Sequence, residues 1–114
     1  MLGSADASYG AAMAPRRIRL RRARGWRKPD GVVVVARPSK WGNPFRLDPA
    51  RGHDRAWSVA RFRELMAGDG PAGISYPSRE EIRAELAGRD LACWCPLDGP
   101  CHADVLLEIA NAPE

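Results

Sequence analysis

Gly31-Val32-Val33-Val34-Val35-Ala36-Arg37-Pro38-Ser39-Lys40-Trp41-Gly42-Asn43-Pro44-Phe45 is the stretch on which the fold turns. Valine is branched at Cβ and stiff at χ1, which suits a strand, and an unbroken apolar run suits a strand covered on both faces. The run stops at Arg37, and the prolines and glycine that follow cannot continue it. A buried strand that feeds a polar loop predicts an α/β domain with helices on its sheet.

Working outward, Ile18 and Leu20 alternate with Arg17, Arg19 and Arg21, which predicts a strand with one wet face. Turn-forming residues between it and Val32 predict an antiparallel pairing of the two strands. Residues 1–15 are small and without period, so they read as a disordered leader, with Met13 a second candidate start. Downstream, residues 37–54 form a loop long enough to carry function. Asp54 can cap a helix that places Val59, Phe62 and Met66 on one face, with Leu65 beside them. After a connector over 68–77, Ser78 and Glu81 form a capping-box pattern for a helix striped by Ile82 and Leu86 and stopped at Gly88. Residues 90–95 read as a short strand, and a last helix from Cys101 to Asn111 buries Val105, Leu106 and Ile109. The predicted order is β-β-α-α-β-α. It describes a small single-domain α/β sandwich over residues 16–112, with a short sheet and helices packed on it.

Composition sets the outer bounds. With 114 residues, 45% of them hydrophobic and 28% charged, there is room for one core and no second domain. There is no run of about 18 apolar residues and no basic-then-apolar leader, so a cytoplasmic protein with no membrane partner is expected. Three cysteines, two of them flanking Trp94, suit free thiols or metal ligands in a reducing compartment. The net charge of +4 is concentrated in Arg16, Arg17, Arg19, Arg21, Arg22, Arg24, Arg27 and Lys28. Such a run attracts a polyanion, nucleic acid foremost, and would equally serve as a solvated strand and loop. Trp26 alone is too little for a stacking platform.

Two segments carry residue types that do chemistry. In residues 37–45, Arg37 offers a planar fork for a phosphate or carboxylate, Lys40 a point charge, Ser39 and Asn43 hydrogen bonds, and Trp41 a face for a base. They follow the carboxyl end of a buried strand, where open α/β sheets collect ligands. The same loop can also be read as packing, with prolines and Gly42 fixing the turn while Trp41 and Phe45 fill the core. The glycine spacings of a P-loop or a dinucleotide fold are missing. In residues 91–102, a period of two points Cys93 and Cys95 to one face and Trp94 to the other, and the following turn returns Cys101 toward them. Cys101 and His102 stand where a helix begins, a setting that lowers a thiol pKa and holds anions. Three readings remain open. Cys93, Cys95, Cys101 and His102 could bind zinc, although the spacing departs from the usual patterns. Cys101 could be a nucleophile with His102 as acid and base. Or the thiols could be buried apolar groups beside a capping histidine. His53, in the loop before the first helix, reads as exposed.

The pair of motifs resembles the domain of unknown function 4326 family of bacteria and phages. Arg37, Ser39, Lys40, Trp41, Gly42, Asn43, Pro44 and Phe45 are the first motif, and Cys93, Trp94, Cys95, Cys101, His102 and Asp104 the second. The resemblance covers about Arg16 to Asn111. It implies that these residues matter together and implies no settled activity. The chain departs at Ala103, where glycine is common, and in the longer Leu97-Asp98-Gly99-Pro100 turn. The expectation drawn from residues and resemblance is an enzyme-like domain that binds an anionic or phosphorylated ligand, a nucleotide or nucleic acid foremost. Arg37, Ser39, Lys40, Trp41 and Asn43 would bind it, with Asn43, Cys101 and His102 the catalytic candidates. The alternative is a non-catalytic nucleic-acid-binding module stapled by a Cys/His cluster, with or without zinc.

Overall fold

A computed structural model of the chain describes residues 14–113; the leader read over residues 1–15 and the start at Met13 thus fall largely outside the described residues. The elements are β1 (Arg17–Arg19), β2 (Val33–Val34), a 3₁₀ turn (Pro49–Arg51), α1 (Arg55–Met66), α2 (Arg79–Leu86), β3 (Leu91–Cys93) and α3 (His102–Asn111). Their order is the β-β-α-α-β-α predicted from sequence.

The pairing of the first two strands differs from the expectation. β1 and β2 are not antiparallel neighbours; each pairs in parallel with β3, giving the sheet order β1-β3-β2. Ile18 stands opposite Ala92 in one ladder and Val34 opposite Ala92 in the other. The bonds Leu20 N–H to Cys93 O (2.8 Å) and Val35 N–H to Ala92 O (2.8 Å) extend the ladders on either side. The physical reason lies in β3, whose residues are all buried and which therefore takes the centre. The residues between β1 and β2 are not a hairpin turn but a crossing segment of about a dozen residues, the length a parallel connection needs. One consequence governs the rest of the molecule: all three strands end on the same edge.

Local signals place the helices. Asp54 Oδ1 accepts from Trp57 N–H at 2.9 Å and starts α1, and Ser78 Oγ accepts from Glu81 N–H at 3.1 Å and starts α2. Gly88, at φ +75°, takes the left-handed conformation that ends α2. α3 is capped unusually, by the thiol of Cys101, which accepts from Ala103 N–H at 3.5 Å. Phe62, Ile82, Leu86, Leu91, Leu106 and Val35 are the fully buried centre of the core. Val59 and Met66 sit at its border, half-buried. Among the described residues no helix is long and apolar enough to cross a membrane.

Candidate functional site

The carboxyl ends of β2 and β3 open into a cavity of about 230 Å³, walled on its far side by the first turns of α1. Arg37 and Arg55 supply its charge, Asn43, Ser58, Cys93 and His102 its polar floor, and Phe45, Leu47 and Trp94 its apolar margin. No carboxylate lines it. A larger depression of about 500 Å³ lies between α1 and α3, but the carboxylates of Glu64, Asp69 and Glu108 line it, the last in a bidentate pair with Arg63 at 2.7 and 2.9 Å.

The 37–45 loop is fixed from beneath. Asn43 is buried; its Nδ2 donates to Ser58 Oγ at 2.9 Å and its Oδ1 accepts from Phe45 N–H at 2.8 Å. Ser58 in turn donates to Phe45 O at 2.5 Å, so the loop is tied to the first turns of α1. His102 lies under the same loop, with Nε2 at 2.9 Å from Val35 O and 3.0 Å from Trp41 O. Two carbonyl acceptors require the proton on Nε2, which leaves Nδ1 as the lone-pair nitrogen, 3.8 Å from Cys101 Sγ. Burial pushes the His102 pKa down, against the pull of both carbonyls, so the ring is neutral. Tyr76 O–H also donates to Trp41 O, at 2.6 Å. Burial pushes that phenol up.

On this platform Arg37 reaches from the exposed rim and donates to Asn43 O. Gly42 makes that approach possible: a Cβ there would sit 2.5 Å from Arg37 Cγ and 3.1 Å from its Cα. Ser39 Oγ accepts from Trp41 N–H at 3.3 Å, a local turn contact. Trp41 is buried, at 4% exposure, and so packs rather than presents a free face. Lys40 lies over that ring at 4.8 Å and pairs with Glu81 at 2.7 Å and Glu85 at 2.9 Å, well away from the cavity. The hydrogen bond to Glu81, then that to Glu85, holds its pKa above the usual range.

The three thiols meet as their spacing predicted. Cys93 and Cys95 Sγ are 3.7 Å apart, and the Sγ atoms of Cys93, Cys95 and Cys101 all lie within 4.8 Å of one another, a grouping that could hold a metal ion. His102 touches only the Cys101 corner of this group and is not part of it. Charge is shared unevenly among the sulfurs. Cys95 is pulled down by its hydrogen bonds with Cys101 and Cys93 and by the Arg55 guanidinium, 2.9 Å from Sγ. Cys101 is pushed far up by its hydrogen bonds with Cys93 and Cys95 and by burial. Cys93 is drawn down by Cys101 but more strongly raised by Cys95 and burial, and ends high.

Arg55 and Ser58 are the members of the site that sequence reading missed. Ser58 carries no signal. Arg55 does: a cation in the first turn of a helix opposes the positive end of the helix dipole, so a residue tolerated there has another partner. His53 stacks on Trp57 at 3.7 Å between ring centroids and lies outside the cavity.

A protein-family model described as a domain of unknown function (DUF4326) matches residues 18–112. No curated protein and no solved structure matches the chain.

Proposed function

The chain belongs to the DUF4326 family, and because its segments 37–45 and 93–102 meet at one cavity, we propose that this cavity binds a phosphorylated small molecule of the nucleotide class. The observation that carries the proposal is charge: two guanidinium groups and no carboxylate line a pocket at the carboxyl edge of a parallel sheet. Neither guanidinium is neutralised by a carboxylate, since the hydrogen bonds of Arg37 and Arg55 go to a backbone carbonyl and a thiol. A planar fork suits phosphate oxygens, and this edge is where α/β sheets bind ligands. Trp94, 42% exposed, and Phe45 give a flat apolar moiety something to lie against. The volume accommodates a mononucleotide's phosphate end rather than a dinucleotide.

In this reading Arg37 and Arg55 bind the anion. Asn43 acts through Arg37, by presenting the carbonyl that aims it, and is a positioning residue. Lys40 and Trp41 support the loop from its other side. His102 completes the floor, and the sulfur beside Arg55 belongs to Cys95.

Calorimetric titration with inorganic pyrophosphate and with nucleoside monophosphates tests the proposal. Each charge-assisted contact is worth about 1.5–3 kcal/mol, so Arg37→Gln and Arg55→Gln are each expected to weaken binding by about tenfold or more. Arg51→Gln, at an exposed residue outside the cavity, should change little. Equal affinity for parent and both cavity variants would refute the proposal.

A second reading has one observation in its favour. Of the basic run, Arg17 alone forms an ion pair among the described residues, and Arg22 lies over the Trp94 ring at 4.6 Å, so exposed cations continue to the cavity's margin. If an oligonucleotide binds with a steep salt dependence, and only loss of Arg19, Arg21 and Arg24 relieves it, the nucleic-acid-binding module is the better description.

A further inference from the structure

We propose that Cys93, Cys95 and Cys101 bind one zinc ion as three thiolates, with the fourth coordination position left to a water or a small exogenous ligand. The sulfurs come from two elements and a turn: Cys93 ends β3, Cys95 follows it by two residues, and Cys101 caps α3. They are free thiols and face one another. A tetrahedral ion with Zn–S bonds near 2.3 Å holds its sulfurs roughly 3.8 Å apart. The 3.7 Å between Cys93 and Cys95 already meets that spacing, and the remaining separations are all within 4.8 Å.

Charge and hydrogen bonding fit the same conclusion. Three thiolates on a divalent ion leave one net negative charge, and the Arg55 guanidinium at Cys95 is placed to offset it. Ala103 N–H, in the first turn of α3, donates to Cys101 Sγ at 3.5 Å. Such outer donors orient ligating sulfurs and lower the cost of their charge. No fourth histidine, cysteine or carboxylate among the described residues joins the three sulfurs, which is the pattern of a site that exchanges its fourth ligand rather than a closed structural one. Cys93 lines the anion cavity, and Arg55 lines it as well, so the ion would stand at the cavity's edge. Arg55 and Cys93 are shared with the cavity, and the metal site requires no ligand there.

Cobalt(II) replaces zinc in such sites and reports their geometry. The full chain, purified without a polyhistidine tag and fully reduced, is titrated with cobalt and then zinc. The expected result is saturation at one ion per chain, with a near-ultraviolet sulfur-to-cobalt charge-transfer band and the visible bands of a four-coordinate site, all erased by zinc. A thiol reagent should find three reactive cysteines in the unfolded metal-free chain and none in the native zinc-loaded one. Cys95 is half-buried and caps nothing, so Cys95→Ser should fold normally. It should lose cobalt affinity by more than the about 10- to 100-fold typical of an outer-sphere change. Visible bands that move on addition of thiocyanate mark an exchangeable fourth position, and bands indifferent to it refute that part of the proposal. Absence of the sulfur band in folded protein, or thiols equally reactive with and without saturating zinc, overturns the site.

Discussion

Replacing Arg17 by lysine is expected to destabilise the fold by about 2–3 kcal/mol and to loosen the turn that brings Cys101 to Cys93 and Cys95. Arg17 belongs to the basic run by sequence, yet in the structure its guanidinium is engaged by backbone carbonyls and Asp104. Its side chain is 9% exposed. One Nη donates to Pro96 O at 3.0 Å, the other to Leu97 O at 3.1 Å and Gly99 O at 2.7 Å, and Nε meets Asp104 at 3.1 Å. These contacts tie β1 to the turn after β3 and to the first turn of α3. A lysine carries the charge but not the fork, and cannot satisfy three carbonyls and a carboxylate from one point. Asp104 is 42% exposed, so the ion pair contributes little; the loss comes from the carbonyls. Urea denaturation and the thiol reaction rate of the native protein check this. An unchanged midpoint with unchanged thiol protection would show that the turn holds itself.

His102→Ala should cost more, about 3–4 kcal/mol. The imidazole is buried, its Nε2–H is shared by Val35 O and Trp41 O, and its ring meets Phe62 edge to face at 5.4 Å. Alanine removes the donor from two buried carbonyls and leaves a ring-sized void, and the two penalties add. Tyr76 still serves Trp41 O, so the orphaned group is chiefly Val35 O. For a domain of this size the change corresponds to a fall in melting temperature on the order of 15 °C. His102→Gln, whose amide nitrogen can stand near Nε2, should recover part of it. A His102→Ala midpoint within experimental error of the parent would mean that the loop over residues 37–45 does not depend on this histidine.

How far the fold was readable from sequence depended on distance along the chain. The caps at Asp54 and Ser78, the stop at Gly88 and the period of two in Cys93-Trp94-Cys95 are local, and local chemistry specifies them; the cap of α3 was read as a histidine and is the Cys101 thiol. The parallel sheet was not readable, because β1 and β2 each find their partner in β3, 74 and 58 residues later, while the glycines and proline between them imitate a hairpin. The same distance hid the environment of single residues. Lys40 reads as an anion ligand until α2 brings Glu81 and Glu85 to it. Trp41 reads as a stacking surface until Tyr76 and His102 close over its backbone. Arg37 kept an unneutralised guanidinium at the cavity, and Arg55 joined it from α1, which no motif announced. The correction to the sheet strengthens the site: only with parallel strands do the loop after β2 and the thiols after β3 leave from the same edge.

The most direct test of the anion cavity is residue by residue. In amide chemical-shift mapping of the isotope-labelled chain titrated with a nucleoside monophosphate, the shifts should cluster at Ala36, Arg37, Asn43, Phe45, Arg55 and Ser58 and saturate together. They should vanish in the Arg37→Gln, Arg55→Gln double variant. Shifts confined to the basic segment at 16–28, or none at millimolar ligand, would contradict a ligand site at the carboxyl edge of this sheet.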